Sequence, residues 1–403
     1  MYQVPVVSVA KSLTQKESAD EVALQPDDVT PPLSGHCTRA SLRLIATSDL
    51  HASLMPYDYC ANGPDANLGL GAIAQQIADA RGEVRNCLLF DNGDFLQGNP
   101  LADFAATAKR RRAHPVITAF NTLGYDAATL GNHEFDYGLR FLSDVLETAQ
   151  FPVVSANIAT RLGASPARDE TLVPPYTILR RQMFDDEGRA HVLRIGVIGF
   201  APPQIAEWDR DQPDGRVHTR DILAAARAWL PRLRAQGADI IVALAHTGIG
   251  EADPCNGTEN AATALAALPE VDAVVAGHSH LVFPGPGFVA SAEVDPVRGR
   301  LAGKPAVMPG HSANHVGIID LRLQRTSHGS RRWIVADATA RIGHRSADRA
   351  AATAALQHAL APDHRATLAW SRRQLGATSL PLHSHFATVS ASAALVLIAD
   401  AKA

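Results

Sequence analysis

LRLIATSDLH, residues 42–51, is an aliphatic run that ends in Ser48, Asp49 and His51. Leu42 and Leu44 lie on one face of an extended chain and Ile45 on the other, so the strand is apolar on both sides. Such a strand belongs in a sheet covered on both faces. The pattern recurs in CLLFDN (87–92), AATL (127–130), FPVVSAN (151–157), LRIGVIGF (193–200), ADIIVALAH (238–246) and VDAVVAGH (271–278). Helical stretches, GAIAQQIADARG and DILAAARAWLPRLRAQG among them, separate several of these runs. Strands alternating with helices indicate an α/β fold. After residue 300, PAVMPG, VGIIDLRL and RWIVADATARI follow without long helices between them. They are expected to be antiparallel strands completing a second sheet.

The chain has 403 residues, of which 46% are hydrophobic and 19% charged, enough apolar material for a real core. A net charge of -4 argues against a general nucleic-acid surface. The one dense basic run, Lys109 to Arg112, is expected to be a solvated helix end. Cys37, Cys60, Cys87 and Cys255 have no C-x-x-C spacing, which excludes a cysteine zinc framework and leaves disulfides undecided. No stretch reaches the roughly 18 apolar residues of a membrane span. Residues 1–38 read as a disordered leader, and their charge follows rather than precedes the apolar run, against a secretory signal. From about 346 the chain turns helical, interrupted by Pro362, and a turn and a further helix-like run lead to Ala403. Those last residues are too few to bury a core of their own.

The polar residues just beyond each strand matter most. LRLIATS is followed by Asp49 and His51, CLLFDN by Asp94, AATL by Asn132 and His133; ADIIVALA ends at His246, and VDAVVA leads into His278 and His280. In α/β sheets ligands gather beyond the carboxyl ends of the strands, so these residues are expected to converge. Their oxygen and imidazole donors suit manganese, zinc, cobalt or iron rather than a thiolate site. Seven candidate ligands, one of them shared, make two ions about 3.5–4 Å apart the natural arrangement. The glycines of GNHE and GHSH are expected to permit tight turns. His311 and His315 are placed near the rim in a supporting role, and His36, His328, His358, His383 and His385 on the surface.

TLGNHEFDYG, residues 129–138, crowds Asn132, His133, Glu134 and Asp136 into five positions. A zinc-protease helix needs a second histidine four residues after His133, and Tyr137 stands there. Asp136, three residues on, would share a face with His133 if a helix began here. A carboxylate on one imidazole nitrogen sets the tautomer and raises the basicity of the other. Asn132 is thus read as a ligand and His133 with Asp136 as a proton-donating dyad.

Five blocks in order, SDLH, NGDFLQG, GNHE, the strand-end AH and GHSH, resemble the calcineurin-like metallophosphoesterases. ATSDLHASLMPYDY, FDNGDFLQGNPLADF, TLGNHEFDYGLRFL, IGVIGFAPPQIAEWD and KPAVMPG resemble the branch of the 5′-nucleotidases, in particular bacterial 2′,3′-cyclic-nucleotide 2′-phosphodiesterase/3′-nucleotidases. The serine/threonine phosphatase branch has Asp-Arg-Gly where this chain has Leu96-Gln97-Gly98. The resemblance implies two β-sheets sandwiched between helices. It also implies two divalent ions, one on Asp49, His51 and His280, the other on Asn132, His246 and His278, with Asp94 bridging. A metal-bound hydroxide would then attack phosphorus, with His133 and Asp136 stabilising the leaving oxygen. Residues 39–345 would be the catalytic domain, 346–375 a linker helix and 376–403 the truncated start of a nucleotide-binding domain. A small nucleotide substrate, weakened base recognition, no nucleic-acid or membrane partner and a monomer are expected. The family implies a periplasmic location, while the N-terminus leaves a cytoplasmic one open. A catalytically poor remnant and a general phosphodiesterase stand as alternatives.

Overall fold

The computed structural model describes residues 38–107, 113–208, 217–326, 332–343, 351–379 and 381–402. The expected leader (save Thr38), the basic run Lys109 to Arg112, the start of the expected linker helix, His36 and His328 lie outside them.

Eleven principal strands follow in chain order: β1 Arg39–Thr47, β2 Cys87–Asp91, β3 Ala127–Thr129, β4 Val153–Val154, β5 Tyr176–Phe184, β6 Ala190–Phe200, β7 Ile240–Ala245, β8 Ala273–Ala276, β9 Lys304–Pro309, β10 Val316–Arg325 and β11 Trp333–Gly343. The helices are α1 Leu70–Gly82, α2 Pro100–Thr107, α3 Pro115–Leu123, α4 Leu139–Leu146, α5 Ile205–Trp208, α6 Ile222–Ala235, α7 Ala262–Ala266, α8 Ala351–Ser371 and α9 Ala393–Lys402. The first sheet runs β11-β10-β1-β2-β3-β4, with β1 to β4 parallel. The second runs β9-β8-β7-β6-β5 and is extended by short strands beyond β9; β6 to β9 are parallel and β5 closes its far edge as an antiparallel hairpin arm.

The double-sided apolar pattern explains the layering. Leu42, Leu44 and Ala46 of β1 pack between the sheets against Leu193, Ile195, Val197, Ile240, Val242 and Leu244. Ile45 faces the other way, into a layer with Ile73 and Ile77 of α1, Phe120 of α3 and Leu356 and Leu360 of α8. The second sheet mirrors this: Ile198, Phe200, Ile241 and Ala243 turn outward onto Ile222, Leu230 and Leu233 of α6. The expected pair of sheets sandwiched between helices is therefore borne out.

Three readings change. PAVMP joins the second sheet, but parallel to β8, while VGIIDLRL and WIVADATARI form a hairpin on the first sheet beside β1. The hairpin goes there because β10 is apolar on both faces: Ile318 enters the helix-side layer, and Ile319 and Leu321 the space between the sheets. FPVVSAN shrinks to the two residues of β4. Pro362 does not interrupt the helix; α8 continues through it. An interior proline costs about 3 kcal/mol, which burial of Leu356 and Leu360, worth roughly 1.5–3 kcal/mol each, offsets. No described helix is long and apolar enough to cross a membrane. Cys60, Cys87 and Cys255 are free thiols. Phe386 and residues Leu395 to Ile398 of α9 are exposed.

Candidate metal centre

Parallel pairing sets the strand ends level: Thr47 is in register with Asp91, Asp91 with Ala128, and Ala245 with Ala276. The polar residues beyond them meet in one place. Ligand-capable atoms of Asp49, His51, Asp94 and His280 lie within 4.8 Å of one another, and so do those of Asp94, His246 and His278. Asp94 is the residue common to both groups. Asn132 joins the second, with Oδ1 2.9 Å from His278 Nδ1. All seven residues read from the strand ends come together.

The backbone is bent to deliver them. Asp49 (φ 52°), His51 (49°), Asp94 (54°), His278 (68°) and His280 (60°) all occupy the left-handed region, at a cost on the order of 1 kcal/mol each. Such conformations cluster where a site is being held in shape. The glycines act differently from the sequence reading. Gly131 and Gly277 are needed for close approach rather than for the turn: a Cβ on Gly131 would meet Asp94 Oδ1 at 2.2 Å, and one on Gly277 would meet Ser48 Oγ at 2.3 Å.

Hydrogen bonds fix which imidazole nitrogens are free. His246 Nδ1 lies 2.7 Å from the Asn92 carbonyl and His51 Nδ1 2.9 Å from that of Gln97. A carbonyl only accepts, so both Nδ1 atoms carry a proton and each Nε2 is the nitrogen that faces inward, where a neutral ring offers its lone pair. His246 Nε2 sits fully buried 3.0 Å from Asp94 Oδ2, its partner while the cluster holds no cation. His278 Nε2 lies 2.6 Å from Glu259 Oε1, and burial, with His246 next to it, lowers the imidazole below its usual range. A neutral ring beside a carboxylate puts its proton on Nε2, so Nδ1 is a lone pair facing Asn132 Oδ1. His278 Nδ1 and Asn132 Oδ1, 2.9 Å apart, stand with Asp94 and His246 Nε2 as a set of donors that a cation would satisfy. The donor set of Asp, Asn and His atoms fits divalent metals.

Charge in the metal-free cluster is unevenly held. Burial, then Asp94, pushes the Asp49 carboxyl up to about 7. Burial also opposes ionisation of Asp94, but His246, His133 and His51 hold its carboxyl well below the usual range. Burial opposes the charge on His246 too, and Asp94 and Asp49 nonetheless raise it to about 10. A metal-free protein should therefore lose thermal stability as pH rises from about 6.5 to 10. Both raised histidines, His246 at about 10 and His133 at about 9, contribute stability below the unfolded value of 6.5 and lose it on deprotonation. Melting temperatures of chelator-treated protein across this window test it; a rise toward pH 10 contradicts the assignment.

His133 Nδ1 and Asp136 Oδ2 are 2.8 Å apart, and the bond to Asp136 does most to raise His133 to about 9, against burial. The dyad forms in a turn, not a helix, since α4 starts only at Leu139. The His133 ring lies edge-on to His51, centroids 5.2 Å apart, at the mouth of the first group. Glu134, crowded into the same five positions, belongs to neither donor group. It is fully buried and accepts hydrogen bonds from the backbone N–H groups of Asp94, Phe95, Leu96 and Gly131, tying the two loops together. His311 stacks on His280 at 4.8 Å between centroids, and Ser312 N donates to the Asp49 carbonyl, so the HSANH loop backs the first group. Sequence reasoning missed Glu259 and Trp208, whose ring lies 6.0 Å from that of His278 at 22°.

The calcineurin-like phosphoesterase family model matches residues 42–282, which span every member of both groups. The chain belongs to the calcineurin-like phosphoesterase family. Among its relatives in this family, a 2′,3′-cyclic-nucleotide 2′-phosphodiesterase/3′-nucleotidase of Haemophilus influenzae is 42% identical over 73% of this chain and 44% of its own length. A protein of the same name from Salmonella typhimurium is 40% identical over 88% of this chain and 55% of its own. The chain spans about half the length of these curated relatives. The crystal structure of the calcineurin-like phosphoesterase YfkN from Bacillus subtilis superposes with a TM-score of 0.77 at 36% identity, covering 83% of this chain and all of that one.

Proposed function

We propose that this chain is a two-metal phosphoesterase that hydrolyses 2′,3′-cyclic nucleotides and 3′-nucleotides. The observation that carries the reading is the convergence of seven donor residues around Asp94 with the His133–Asp136 pair at their edge. The names of relatives 40–42% identical supply the substrate class. Asp49, His51, Asp94 and His280 would hold one ion and Asp94, Asn132, His246 and His278 the other. Two divalent ions there, manganese, zinc, cobalt or iron, would supply Lewis acidity and charge neutralisation for the phosphoryl group.

The chain's own residues do the rest. His133, protonated at neutral pH because of Asp136, directs Nε2 away from that carboxylate and can donate to the leaving oxygen. The Asn92 and Gln97 carbonyls keep His246 and His51 from rotating. Glu134 keeps the GNHE and GDF loops at a fixed separation.

Manganese-loaded protein is expected to carry two ions per chain and to hydrolyse 2′,3′-cyclic AMP, 3′-AMP and bis(p-nitrophenyl) phosphate, with activity lost to chelator. Fewer than two ions and no turnover on any of the three would end this reading.

A further inference from the structure

We infer that Glu259 is a positioning residue for His278, fixing the ring so that Nδ1 is presented to the second donor group. The inference rests on the two-metal reading proposed for this chain. His51 and His246 are oriented by backbone carbonyls; His278 instead has a side-chain carboxylate, from a loop outside the five sequence blocks. Glu259 Oε1 lies 2.6 Å from Nε2, while the other ring nitrogen, Nδ1, faces Asn132. It therefore stands behind the ring and not among the donors, and Glu259 belongs to neither donor group.

The loop is built to keep the carboxylate there. The Thr247 hydroxyl, one residue after His246, donates to the Glu259 carbonyl and accepts from Ala261 N at 2.9 Å. Asn260 packs against Gly248 and Gly250 so closely that a Cβ on either would lie 2.1 to 2.3 Å from it. His246 and the support of His278 are thus fastened through one hydroxyl. Trp208 lies nearly parallel to His278 on its face and His246 meets it edge-on, limiting ring tilt. The remaining freedom, a half-turn flip about the Cβ–Cγ bond and the choice of tautomer, is what the bond to Glu259 removes. The Glu259 side chain is 42% exposed, so the fold depends on this residue's backbone more than on its side chain.

The test is manganese binding by calorimetry and by electron paramagnetic resonance on the full chain, comparing wild type, Glu259→Ala and Glu259→Gln. Wild-type protein binding two ions is the check on the underlying reading. In Glu259→Ala one ion should bind with unchanged affinity and the other about 10–100-fold more weakly, the usual effect of losing such an orienting partner. Glu259→Gln, which keeps an acceptor oxygen, should restore most of the loss. The melting temperature of metal-free Glu259→Ala should match that of the metal-free wild type. Two ions at wild-type affinity in Glu259→Ala, equal weakening of both, no rescue by glutamine, or a lowered metal-free melting temperature each overturn the inference.

Discussion

Asp94→Asn is expected to yield a folded protein that no longer holds two ions and has lost roughly 10³-fold or more in turnover. That figure corresponds to several kcal/mol of transition-state charge stabilisation. The cause is local. Asp94 is fully buried and shared by both donor groups. Its Oδ1 accepts from the His133 backbone N–H at 2.8 Å, and its Oδ2 lies 3.0 Å from Nε2 of His246. An asparagine must keep its oxygen toward His133 N, since an amide nitrogen cannot face an N–H donor. Its NH2 then turns to His246 Nε2 and donates into the lone pair that the second ion would use. One substitution removes a negative charge from both positions and caps a neighbouring ligand. Metal analysis after gel filtration decides the matter, with circular dichroism as the control for folding. Two ions retained at wild-type affinity would show that Asp94 is not the shared ligand.

The reach of the sequence depended on what kind of information a feature carries. Strand ends were readable because burial on both faces forces an uninterrupted aliphatic run, and the first polar residue after it marks the exit from the sheet. That is why Asp49, Asp94, Asn132, His246 and His278 could be collected across two sheets. Sheet membership was harder, since VGIIDLRL satisfies either sheet and only packing against β1 decides. Glu134 looked like its neighbours in composition, and nothing in the letters said that its carboxylate turns inward to four backbone N–H groups. Glu259 was invisible for a related reason. It lies in a loop with no periodicity, and its relation to His278, nineteen residues away, exists only once Thr247 has pinned that loop. The left-handed backbone at five site residues was equally unreadable, because aspartate and histidine do not announce positive φ as glycine does.

His133→Asn should separate chemistry from metal binding. Neither nitrogen of the His133 ring is among the donor groups; it is the residue's backbone N–H that touches Asp94, and asparagine keeps that contact. Two ions should stay, while turnover falls by about 10²–10⁴, the usual range for losing a positioned general acid. The size of the loss should depend on the leaving group. A ribose hydroxylate is a poor leaving group and needs a proton, so hydrolysis of 3′-AMP should fall toward the upper end of that range. A p-nitrophenolate leaves with little help, so the aryl ester should fall toward the lower end. Asp136→Asn leaves the imidazole in place but removes the bond that does most to raise it to about 9, so the variant should repeat the pattern more mildly. Equal losses for both esters would mean that His133 stabilises charge on phosphorus without passing a proton. Loss of the ions with activity per bound ion retained would mean that its ring is a ligand after all.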